Sequence, residues 1–141
     1  MDPYNLSRFV QAQEQTYDQA LAELNAGRKR SHWMWYVFPQ LDGLGSSPIT
    51  KRYSIKSEAE ARAYLDHPVL GQRLVDCAEA ILRVEGKSAR EILGSPDGLK
   101  LKSCATLFAR VSPPGSVFER ILEKFYSGEP DAATLRLLAR Q

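Results

Sequence analysis

Lys29, His32, Trp33, Gln40, Gly43, Gly45, Ser46, Ser47, Arg52 and Tyr53 all fall in one short segment of a 141-residue chain. Their types suit recognition of an anion. Lys29 and Arg52 bring positive charge, Gln40 an amide, and Ser46 and Ser47 hydroxyls. The run Gly43-Leu44-Gly45 can turn successive backbone N–H groups the same way, as phosphate nests do. Trp33 and Tyr53 offer flat faces to a base or a sugar. Histidine titrates near neutrality, so His32 suits general acid–base work. Farther along, Lys100 and Ser103 are three residues apart and share a face of a predicted helix. Asp97, at the start of that helix, is the second candidate catalytic group beside His32.

These residues match no complete catalytic signature. The glycine loop lacks the Lys-Ser/Thr ending of a P-loop and the third glycine of a dinucleotide fingerprint, and Pro48 follows it. There is no HExxH, no paired-carboxylate motif and no Ser-His-Asp order. His32 and His67 are too far apart in sequence to share a metal by local spacing. Cys77 and Cys104 lie in apolar helical patterns and read as reduced core thiols. No metal site and no cofactor are expected.

Charge is gathered around the segment. From Arg28 to Lys56 there are six basic residues and one acid, Asp42, a local charge of +5, while the rest of the chain carries −3. A local positive field favours an anionic ligand. The net charge of +2 is small for a broad nucleic-acid face. The first fifteen residues lack an apolar signal core, and no apolar run is long enough to span a bilayer. The expected setting is the cytoplasm, with no membrane association.

The elements that must position these side chains read as helices. Asn5 can cap a helix with Leu6, Phe9 and Val10 on its apolar face. The pattern resumes at Tyr17, Ala20, Leu21 and Leu24 and ends at Gly27, as one helix or two. Ser57 with Glu60, Ser88 with Glu91, and Ser116 with Glu119 have capping-box spacing. Pro68 suits the first turn of a helix running to Leu82 and stopped by Gly86. Asp97 and Asp131 can cap two more. Trp33 to Phe38 is wholly apolar and fits a strand or a buried helix. No second strong strand is present to pair with it, and a helix satisfies its own backbone. Ser31 suits its N-cap and Pro39 its stop. The expectation is a mostly all-α, single compact domain over residues 1–141, with a short buried central helix at about 31–38.

The runs His32-Trp33-Met34-Trp35-Tyr36-Val37-Phe38-Pro39-Gln40, Gly43-Leu44-Gly45-Ser46-Ser47 and Tyr53-Ser54-Ile55 resemble an uncharacterised bacterial family. It is the family called domain of unknown function 1810, sometimes mislabelled calpastatin. Lys29, Tyr64 to Leu74, Asp97, Lys100, Ser103 and Thr106-Leu107-Phe108 are similar to it too, so the resemblance runs from about Leu6 to Phe125. It implies a multihelical domain with a short buried central helix. It supplies no reaction and no catalytic residues. A calpain inhibitor is a disordered repeat protein, and this chain has neither property.

The residues therefore point to a small anionic ligand, nucleotide- or sugar-phosphate-like, held in a cleft beside residues 29–53. The alternatives are a hydrolase of a glycosidic or phosphate-bearing small molecule, or a protein-interaction module. A monomer or weak homodimer is expected. Side chains of Lys29, His32, Gln40, Ser47 and Lys100 converging on one cavity would support a site.

Overall fold

The computed structural model describes residues 2–141, and among them the secondary structure is helical, with one isolated parallel bridge between Leu41 and Ile55. The helices are α1 (Ser7–Gln13), α2 (Tyr17–Asn25), α3 (Met34–Val37), α4 (Pro48–Arg52), α5 (Glu58–Asp66), α6 (Leu70–Leu82), α7 (Ala89–Leu93), α8 (Asp97–Arg110), α9 (Val117–Tyr126) and α10 (Ala132–Ala139). None is long and apolar enough to cross a membrane. The mostly all-α reading holds.

Helix α8 is the axis. It buries Leu101, Cys104, Ala105, Leu107 and Phe108, and packs most closely on α9 and α7, with α5 and α10 also against it. Helix α6 lies against α2, α5 and α9. Aromatic rings run through the interior: Phe9 meets Tyr64 edge-on at 5.1 Å, Tyr64 meets Phe108 at 5.4 Å, and Phe108 meets Phe118 at 5.6 Å. Truncating a ring such as Phe108 to alanine would cost about 3–5 kcal/mol.

The apolar run is a helix, but shorter than expected. It spans only Met34–Val37, with Trp33 as N-cap at φ −137°. Ser31 does not cap it, because the Ser31 N–H and hydroxyl both donate to Glu23. The Tyr36 carbonyl finds a partner outside the helix: Gln13 Nε2 donates to it at 2.6 Å. After Pro39 the chain is extended for a few residues, and Ile55 pairs on both sides of Leu41, donating to the Gln40 carbonyl at 2.9 Å and accepting from the Asp42 N–H at 2.8 Å. That pairing closes the 41–55 loop on the core.

Several caps differ from the sequence reading. Asn5 does not cap α1; Asp2 does, accepting from the Leu6 and Ser7 N–H groups. The first two apolar patterns are separate helices broken at residues 14–16. Only Ser88–Glu91 makes the full capping box. Ser57 and Ser116 accept from their third-residue N–H as expected, but Glu60 turns to the Lys56 N–H and Arg8, and Glu119 to the Gly115 N–H. His67 serves α6, its Nδ1 accepting from the Val69 and Leu70 N–H groups. The last turn of α6 ends at Leu82, before Gly86. Asp131 caps α10 through the Thr134 N–H.

Candidate functional site

Two separate parts of the sequence meet at the surface beside α8. The loop after Pro39 supplies Gln40, Leu44 and Gly45, and α4 supplies Thr50. Helix α8 supplies Leu99, Lys100, Lys102 and Ser103, preceded by Pro96. Asp131 and Ala133, at the start of α10, close one end. Together they line an open groove of about 400 Å³. At its base is a pit of about 10 Å³, room for one water-sized group, walled by Met34, Trp35, Phe38, Tyr53 and Ser54 as well as Gln40, Thr50 and Lys100.

Local structure explains the placement. Lys100 and Ser103 sit one turn apart on α8, and Pro96 and Leu99 extend the same stripe toward its start. Gly45 has no side chain because Thr50 occupies the space: a Cβ there would lie 2.4 Å from Thr50 Cγ2. Thr50 is itself fixed by Ser47, whose Oγ accepts from the Thr50 N–H at 3.2 Å and bonds Thr50 Oγ1 at 2.7 Å. The loop thus holds Gly45 against α4 and opens its outer side to the groove.

Electrostatics are set by a chain of three charges. Lys29 Nζ lies 3.1 Å from Asp97 Oδ2, and Lys100 Nζ lies 3.5 Å from Asp97 Oδ1. The Lys29 side chain is 9% exposed and that of Lys100 26%, so Lys29 is the interior partner and Lys100 the outer one. One carboxylate between two ammonium groups leaves an excess positive charge, and Lys100 carries it to the groove. Lys100 Nζ is also 5.7 Å from the Trp35 ring centre, within cation–π range. Lys102 adds a second cation on the wall, opposed by Asp131. Ser103 Oγ makes only a long 3.5 Å contact to the Leu99 carbonyl, which leaves its hydroxyl free for a ligand.

The residues chosen from sequence divide accordingly. Gln40, Gly45, Lys100 and Ser103 line the groove, and Tyr53 lines the pit beneath it. Lys29 and Asp97 stand behind Lys100. Asp97 does not cap α8 with its side chain; its oxygens are taken by the two lysines. The remaining residues lie elsewhere. Trp33 is 1% exposed and has no face open to a ligand; Trp35 takes the wall position assigned to it. His32 is exposed, its carbonyl accepting from the Tyr36 hydroxyl, and it lines neither groove nor pit. Gly43, at φ +103°, packs against Leu137 of α10. Ser46 is exposed, and Ser47 is the cap of α4. Arg52 stacks over Tyr53 and lines a different depression with Arg8 and Lys56. The five side chains expected to converge do not all do so: Gln40 and Lys100 line the groove, His32 and Ser47 lie outside it, and Lys29 reaches it only through Asp97. Asp42, the one acid of the basic segment, is occupied by the Ser54 hydroxyl and Lys56.

Thr50, Leu99 and Trp35 are among the lining residues the sequence reading missed. Leu99 could have been found: it falls off the buried face marked by Leu101, Cys104 and Phe108, and it is 68% exposed. Cys77 and Cys104 are free and buried. No group of three or more His, Cys, Asp or Glu side chains gathers into a metal-binding cluster among the described residues.

Comparison with known proteins points to a family without an assigned reaction. A family model described as protein of unknown function (DUF1810) matches residues 3–138. The crystal structure of the conserved hypothetical protein Rv1873 from Mycobacterium tuberculosis is 53% identical and superposes with a TM-score of 0.96, over 98% of this chain and 99% of that one. No curated protein matches the chain.

Proposed function

We propose that this chain, which belongs to the DUF1810 family of proteins of unknown function, binds a small phosphate-bearing metabolite in the groove between the 40–50 loop and α8. One observation carries this reading: Gln40 and Gly45 from the loop, Thr50 from α4, and Lys100 and Ser103 from α8 open onto the same cavity. An amide, a backbone N–H, two hydroxyls and an ammonium group form a donor-rich set, which suits oxygen anions. Asp97 keeps Lys100 from swinging freely into solvent, so less side-chain entropy is lost when an anion docks. The hydrolase alternative has less support, since Asp97 is held by two lysines and His32 lies outside the groove.

Calorimetry and amide shift mapping with inorganic phosphate, a ribose phosphate and nucleoside monophosphates test the reading. The amides of Gln40, Gly45, Thr50, Lys100 and Ser103 should move together. Binding should weaken between low salt and about 150 mM salt, where the screening length falls to about 8 Å. If no member of the panel moves these amides, the proposal fails.

A further inference from the structure

A second cleft lies on the other side of Leu99. It holds about 340 Å³ and is lined mainly by apolar groups, among them Ala89, Pro96, Leu99, Phe125 and Tyr126, with Arg90 on its wall. Pro96 and Leu99 line both this cleft and the groove described above. They form a low ridge that separates an apolar compartment from a cationic one. Leu99, on that ridge, is 68% exposed, far more than the other exposed large apolar residues, Ile49, Val69 and Leu135.

Resting on the groove reading above, we propose that the ligand is two-part: a flat aromatic ring lies in the Phe125–Tyr126 cleft while its phosphate sits by Lys100 and Ser103, the linking sugar crossing Leu99. The chemical class this describes is a nucleoside phosphate rather than a simple sugar phosphate. The cleft has the features a base needs. Phe125 and Tyr126 present aromatic surface, and the exposed guanidinium of Arg90 can stack on a planar ring. Tyr126 is held in place by its hydroxyl, which donates to the Gly98 carbonyl at the base of α8. Ser88 and Ser95, also on the wall, offer hydroxyls to ring nitrogens or exocyclic groups. A sugar phosphate would fill the groove alone, leaving Leu99 and the apolar cleft in water. A nucleotide covers both.

The test is titration of the full chain with adenosine monophosphate, uridine monophosphate, a ribose phosphate and inorganic phosphate, in the parent, Leu99→Ser and Lys100→Ala proteins. At least one nucleotide should bind about ten-fold tighter than the ribose phosphate, the margin expected from stacking one base. Leu99→Ser should shrink that ratio, and Lys100→Ala should weaken every phosphate that binds. Leu99 is solvent-facing, so its replacement leaves the core intact, which a melting curve verifies. Equal affinity for nucleotides and the ribose phosphate, or a ratio unchanged by Leu99→Ser, overturns the two-part ligand while the anion groove stands. Absence of any Lys100-dependent binding overturns both.

Discussion

Trp33 Nε1 donates to Glu23 Oε1 at 2.8 Å, and both side chains are buried. The same carboxylate accepts from the Arg30 N–H at 2.8 Å, the Ser31 N–H at 3.1 Å and the Ser31 hydroxyl at 2.7 Å. Glu23, near the end of α2, thus fixes the irregular 28–33 segment that leads into α3. Replacing it with alanine strands the Trp33 indole N–H and two backbone N–H groups. Leaving the buried indole N–H unpaired costs about 1–3 kcal/mol, and the two part-buried backbone N–H groups add less, so Glu23→Ala should destabilise by about 3 kcal/mol in urea unfolding.

Glu23 also makes stability depend on acid. Burial works against its ionisation, but the Arg30 N–H, the Ser31 hydroxyl and the Trp33 indole outweigh that and hold its carboxyl down at about 2. The ordinary value is 4.5. A depressed carboxyl stabilises the fold above its unfolded value and loses that contribution as pH falls toward its folded one. Stability should therefore drop between about pH 4.5 and pH 2. In Glu23→Gln that part of the decline should be missing, because no proton is taken up there. Parallel unfolding curves for the two proteins across this range would refute the assignment.

Gly71 carries a steric prediction. A Cβ at this position in α6 would lie 2.0 Å from the Leu65 carbonyl oxygen and 2.9 Å from its carbonyl carbon. Those are backbone atoms at the end of α5 and cannot rotate away, so α5 and α6 would have to part. Gly71→Ala should cost about 3 kcal/mol, the upper range of overpacking effects. At Gly86 a Cβ would meet open space, and only its φ of +75° opposes a side chain. Gly86→Ala should cost about 1 kcal/mol. Chemical denaturation of the pair separates crowding from backbone strain.

The two cysteines should be inert. Burial pushes the Cys77 thiol up to about 12, and burial likewise raises that of Cys104. Thiolate is the reactive form, so neither should react with a disulfide reagent at neutral pH until the chain unfolds. Two thiols released only in denaturant is the expected outcome; fast reaction of either in native buffer would contradict the packing.

Periodicity and caps made the helices legible because each is a local property. Apolar spacing marks α2, α6, α8 and α9 within their own residues, and the Ser57, Ser88, Ser116 and Asp131 caps act within one turn. What failed locally was decided at long range. Ser31 looked like an N-cap, yet Glu23, eight residues earlier, takes its hydroxyl. Asp97 looked like another, yet Lys29, distant in sequence, takes its carboxylate. The candidate site shows the same division. Lys100 and Ser103 were visible as helix neighbours. Which of the polar groups after residue 29 would face them depended on the Leu41–Ile55 pairing, which no local pattern announces.

The chain Lys29–Asp97–Lys100 separates folding from binding. Lys29 is nearly enclosed, and its N–H also donates to the Ile92 carbonyl at 2.8 Å, tying the segment to α7. Asp97→Ala would leave this ammonium group without its partner, a loss of about 3 kcal/mol, the lower end for broken buried pairs. Lys100 is more exposed and shares the carboxylate at a longer distance. Lys100→Ala should therefore cost under about 1 kcal/mol in stability, as surface pairs do. Its effect should appear instead in phosphate affinity, where removing the cation nearest the anion should weaken binding about ten-fold, close to the strength of one charge-assisted hydrogen bond. Unfolding curves and calorimetry on the two variants give the comparison: Asp97→Ala should move the first strongly, Lys100→Ala the second. A Lys100→Ala protein as unstable as Asp97→Ala, with unchanged phosphate binding, would make Lys100 a structural residue and remove the cation from the groove.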